Sequence, residues 1–64
     1  MSGHGSCYLV ANGDDGKKYW AYVKKYSDDH ETSFKAKVKA ASGHPCRSVK
    51  RDNSQPSSGT EIKL

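Results

Sequence analysis

Two histidine and cysteine pairs, His4-x-x-Cys7 and His44-x-Cys46, are the residues of this chain best suited to bond making. Together they would supply the two imidazoles and two thiolates of a structural zinc site. The second spacer is short for such a site and His4 lies in a tail of small polar residues. The economical reading is therefore a partly buried Cys46 and exposed histidines. A cysteine beside a histidine is also a potential nucleophile, but 64 residues leave little concave interior in which to desolvate a substrate. The acid pairs Asp14-Asp15 and Asp28-Asp29 stand in polar stretches where they favour turns over acid–base work. Asn12-Gly13-Asp14-Asp15-Gly16 lacks the Gly-Lys-Ser/Thr ending and following helix of a phosphate loop. The residues thus point away from an enzyme, and they call for no cofactor or metal.

Binding chemistry is better represented. Trp20 and Tyr22 are large amphipathic surfaces, Lys24, Lys35, Lys37 and Lys39 are regularly spaced cations, and Arg47, Lys50 and Arg51 form a second basic cluster. The formal net charge of +4 favours approach to acidic surfaces of any kind, whether protein, nucleic acid or membrane. Aromatic rings between cations can anchor a protein partner or stack single-stranded bases over a tracked phosphate backbone. They can equally cover lysine stems and bind nothing.

A chain of this length forms one domain spanning residues 1–64. With 33% hydrophobic residues, its bulky core candidates reduce to Leu9, Val10, Tyr19, Trp20, Tyr22, Val23, Phe34, Val38, Val49, Ile62 and Leu64. No apolar run approaches the roughly 20 residues of a membrane helix, and Met1–Ser6 has neither the charged nor the apolar region of a signal peptide. The expectation is a monomeric cytoplasmic protein with no membrane partner. In that compartment Cys7 and Cys46 read as reduced thiols more readily than as a disulfide, although a bridge between them would close a long loop.

These side chains need elements to position them. Residues 1–6 read as a disordered tail. Cys7–Ala11 reads as a strand, Asn12–Gly16 as a turn, and the aromatic, β-branched run Tyr19–Tyr26 as a second strand. In Ser33–Ala40 every second residue is apolar and lysines take the alternate positions, which predicts a third strand with Ser27–Thr32 as the hairpin loop. Ser42 as an N-cap and Pro45 in a first turn predict a short helix from Ser42 to Asn53. Residues 53–59 then form a connector, and Thr60–Leu64 a closing strand. The expected fold is α+β: a small antiparallel sheet of three to four strands with one short helix on one face, in the order β-β-β-α-β. Pairing Tyr26 with Ser33 turns Tyr19, Ala21 and Val23 to the core. Trp20, Tyr22 and Lys24 then lie outward, opposite Lys39, Lys37 and Lys35, and a one-residue slip reverses the faces.

The run Asp15-Gly16-Lys17-Lys18-Tyr19-Trp20-Ala21-Tyr22-Val23, with His30 and Ser33-Phe34 and a helix and strand after them, resembles the small host RNA polymerase inhibitors of T-seven-like phages, their gene product two. The likeness covers about half the chain, Asp15 to Ala41. It implies a single domain with an antiparallel sheet and one helix that binds a host protein, RNA polymerase, without catalysis. The family's closing strand carries contact arginines where this chain has only Lys63, so no binding residue carries over by position. The expected function is a small non-catalytic inhibitor or modulator of a host protein; the alternative is a nucleic-acid-binding module using the same basic and aromatic face.

Overall fold

The computed structural model describes residues 5–46 and 48–64. The expectations for the extreme N-terminus, His4 included, and for Arg47 lie outside them. Strand formers and turn formers alternate at the N-terminal end as local chemistry dictates. β1 (Cys7–Asn12) and β2 (Lys18–Val23) form an antiparallel hairpin in the register Leu9 to Ala21 and Val10 to Trp20. The turn closes with Gly13 N–H donating to the Lys17 carbonyl at 2.8 Å. Asp15 fastens it further, accepting from Lys17 N–H at 3.0 Å and from the Tyr19 hydroxyl at 2.6 Å.

The segment expected as a third strand is helical instead: α1 covers Asp28–Ser42. Counting Ala36 and Ala40 as core residues creates the period of two. The bulky apolar residues are Phe34 and Val38 alone, four apart, which is one helical turn. Both are fully buried while Ala36 and Ala40 are exposed. The residues expected as a hairpin loop start this helix. Ser27 is the N-cap, its hydroxyl accepting from His30 N–H, and Asp28, Asp29 and Glu31 place negative charge at the positive end of the helix dipole.

The helix expected at Ser42–Asn53 is likewise corrected. Ser42 ends α1, its hydroxyl donating to the Val38 carbonyl at 2.8 Å. Gly43 takes the left-handed conformation at φ 85° and donates to the Lys39 carbonyl, with Pro45 just beyond; this is the chemistry of a helix end. The chain then enters β3 (Val49–Asp52), antiparallel to β1. The closing strand is shorter than expected, β4 being Thr60–Glu61, and it runs parallel to β2.

The fold is α+β: the described residues form one helix and a four-stranded mixed sheet in the order β3-β1-β2-β4, and the elements follow one another as β-β-α-β-β. The core lies between α1 and one sheet face, where Leu9, Ala11, Tyr19, Ala21, Val23, Phe34 and Val38 are buried together. Each fully buried Leu, Val or Phe there contributes about 1.5–3 kcal/mol. Among the described residues no helix is long and apolar enough to cross a membrane.

Because β2 and β3 are both antiparallel to β1, and β4 is parallel to β2, the chain makes two parallel crossovers. One is α1, from β2 to β3; the other is the 53–59 connector, from β3 back to β4. Such connections are right-handed, which puts the helix and the connector on opposite faces. Gly59 agrees with that placement. A Cβ there would stand 3.2 Å from Trp20 Cδ1 and 3.0 Å from the Lys18 carbonyl oxygen, and its φ of +116° suits glycine.

Candidate interaction face

The pairing register sorts every strand residue to a face. Core-facing residues are Leu9, Ala11, Tyr19, Ala21 and Val23, as the outward placement of Trp20 and Tyr22 required. The strand opposite β2 is β1, however, not Phe34–Ala40. The face without the helix therefore carries Tyr8 and Val10 from β1, Lys18, Trp20 and Tyr22 from β2, Lys50 and Asp52 from β3, and Glu61 from β4.

Its centre is aromatic. The Tyr8 and Tyr22 rings, cross-strand partners, lie 5.3 Å apart and tilted by 55°, while Tyr8 meets Trp20 edge-on at 5.9 Å. Tyr22 is 46% exposed but Trp20 only 9%: the Tyr8 ring and the chain at Gly59 cover the indole. Beside the rings a shallow concavity of about 600 Å³ is lined by Val10, Asn12, Lys18, Lys50, Asp52 and the hairpin turn. The rim has mixed charge. Lys18, Lys24 and Lys50 make no ion pair among the described residues, whereas Glu61 lies 3.6 Å from Lys63 Nζ and Asp52 sits on the same face as Lys50.

Of the residues proposed from sequence, the structure brings together Trp20, Tyr22 and Lys50 on this face, with Lys24 just past the end of β2. Lys35, Lys37, Lys39 and Arg51 do not join them, and Arg47 lies outside the described residues. On a helix, alternate positions step by about 200°, so Lys35 and Lys39 share one side of α1 and Lys37 lies on another; no lysine array forms opposite Trp20 and Tyr22. Lys35 is paired with Glu31 at 3.4 Å. Arg51 points to the helix side, its guanidinium carbon 4.3 Å from the centre of the Tyr26 ring. The Tyr26 hydroxyl in turn donates to Glu31, which holds the Glu31 carboxyl below its ordinary range and raises the phenol. Arg51, Tyr26, Glu31 and Lys35 thus tie β3 to the first turns of α1.

Sequence reasoning missed Tyr8 and Val10 from β1, and with them Lys18, Asp52 and Glu61. The alternation of Tyr8 and Val10 with Leu9 and Ala11 was visible in Cys7–Ala11, but which side faced outward depended on a pairing with β2 and β3 that no local pattern specifies.

Among the described residues no group of three or more His, Cys, Asp or Glu side chains converges on a metal-sized site. Cys7 and Cys46 are unbridged. Burial raises the Cys7 thiol above its ordinary value, outweighing the nearby Arg51, so the reactive thiolate is disfavoured. His30 is engaged by the Ser27 hydroxyl at 2.9 Å. No protein-family model matches this chain, and neither a curated protein nor a solved structure matches it.

Proposed function

We propose that this protein is a non-catalytic binding module that docks a protein partner on its open sheet face and so inhibits or modulates that partner. Bacterial RNA polymerase, the target of the phage inhibitors that the hairpin resembles, is the first candidate. The observation that carries the reading is the Tyr8–Tyr22 pair, half-open to solvent at the centre of a rim of both charges. An aromatic centre in a mixed polar rim is the composition of protein interfaces. A nucleic-acid path would need unbroken positive charge, and here Asp52 and Glu61 share the face with Lys18 and Lys50. The dispersal of Lys35, Lys37 and Lys39 around α1 weakens that alternative further.

The test immobilises the full chain and its Tyr22→Ala variant and offers each purified bacterial RNA polymerase, nuclease-treated bacterial lysate and a single-stranded oligonucleotide. The proposed function requires a protein retained by the parent chain and lost by the variant, with little response to salt. Retention of the oligonucleotide alone, falling steeply as salt rises through counterion release, would transfer the protein to the nucleic-acid class. Equal protein retention by both chains would remove the open face as the docking surface.

A further inference from the structure

Both edges of the sheet expose backbone groups, but they are guarded unequally. β3 presents Lys50, Arg51 and Asp52, the charged protection that discourages strand addition. Among the described residues the outer edge of β2 is covered only by β4, two residues set against a strand of six, and by Ile62 just beyond it. Backbone groups of alternate residues point the same way, so Lys18, Trp20 and Tyr22 all face that edge. Trp20 accepts from Ile62 N–H at 2.7 Å. Tyr22 lies beyond the last pairing of β4, which is Trp20 with Glu61, and among the described residues nothing pairs with its outward backbone groups.

The segment that holds β4 in place is lightly fastened. Residues 53–59 make no side-chain hydrogen bond, and no backbone hydrogen bond outside the strand ladders, among the described residues. The apolar anchor beyond β4 is a half-buried Ile62, and Leu64 is 44% exposed.

We infer that the outer edge of β2 is a second part of the docking surface: residues 53–64 form a displaceable strap, and an extended segment of the protein partner takes the place of β4. The inference rests on the open-face reading and extends it, because a strand beside Tyr22 is continuous with the aromatic centre. The occupant is specified by what it replaces. It is an extended segment with an apolar side chain where Ile62 packs on the core, long enough to pair past Trp20 as far as Tyr22. Strand addition of this kind draws affinity from main-chain hydrogen bonds and specificity from alternate side chains. Displacing the strap also uncovers Trp20, which then enlarges the aromatic surface.

The chain has a single tryptophan, so its emission reports the strap directly. In full-length Ile62→Asp the strap should leave. Trp20 emission moves to longer wavelength while the far-ultraviolet helix signal stays, and adding a synthetic peptide of residues 58–64 moves the emission back. The parent chain binds the same peptide more weakly, by the factor by which its closed strap outweighs the open one. Three results overturn the inference: unchanged emission in Ile62→Asp, failure of the peptide to restore it, or loss of the helix signal, which would make β4 integral to the fold. No partner protein is needed, so a failure here leaves the capture test of the open face intact, and a failure there leaves this measurement intact.

Discussion

Replacing Val38 by Ala and, separately, Ala36 by Gln tests the helical period of α1, on which the sorting of lysines away from Trp20 and Tyr22 depends. Val38 is fully buried and Ala36 exposed. Val38→Ala removes two buried carbons at about 0.8 kcal/mol each, and the residual cavity adds a further increment, for a total of about 2 kcal/mol. Chains of this length have about 3–10 kcal/mol of stability in all. At about 4–8 °C per kcal/mol for a small domain, the midpoint should fall by about 8–16 °C. Ala36→Gln sets a good helix former on a solvated surface and should change stability by less than about 0.5 kcal/mol. Thermal and urea unfolding, followed by circular dichroism and by Trp20 fluorescence, measures both. In a strand, positions 36 and 38 would share the core face, and Ala36→Gln would bury an unpaired amide at a cost like that of the cavity. Equal destabilisation by the two substitutions would therefore refute the helical arrangement and everything inferred from it about the lysines.

Trp20→Ala should cost about 3–5 kcal/mol because the indole is buried, whereas Tyr22→Ala should cost about 1 kcal/mol while abolishing partner capture; chemical denaturation of both variants separates the structural residue from the docking residue. Ser27→Ala removes the cap of α1 and should cost about 1 kcal/mol by urea unfolding, with the midpoint falling and the slope unchanged. The carboxyls of Asp15 and Glu31 are lowered by the hydroxyls of Tyr19 and Tyr26, and those phenols are raised in return. The carboxylate contribution is present above the unfolded values near pH 4 and is lost as pH falls through the depressed native ones. The phenol contribution is present below the unfolded value near pH 10 and is lost as pH rises through the raised native ones. The stability these four groups contribute should thus fall at both ends of the pH range, and Asp15→Asn should shrink both falls.

The hairpin was legible because its information is local. Tyr19, Ala21 and Val23 alternate with Trp20 and Tyr22, and a turn rich in Gly and Asp precedes them. The single helix and the mixed α and β content were legible too, but their boundaries were displaced by one segment. Alanine belongs equally to a strand interior and a helix surface, so Ala36 and Ala40 lent a false period to Phe34–Ala40. Ser42 resembles a start only if Gly43 is ignored, and Ser27 with three acids after it was the stronger N-terminal signal. For the site, Trp20, Tyr22 and Lys50 were found. Arg51 was misplaced because a strand turns successive residues to opposite faces, whereas a helix would have set Arg51 beside Lys50. Tyr8 was missed because its neighbours come from distant parts of the chain.

The first strand of the chain is an inner strand of the sheet. Tyr8 meets Tyr22 across one tight turn, but its other neighbour, Asp52, is 44 residues away. A lone hairpin is marginal in water, so the early structure must wait, one side of β1 unsatisfied, until α1 has shortened the distance that β3 has to search. The rate of assembly should therefore follow the helix more than the hairpin. A substitution that weakens the cap at Ser27 should slow folding, while one at Ile62, beside the short β4, should act chiefly on unfolding, as stopped-flow folding and unfolding rates would show.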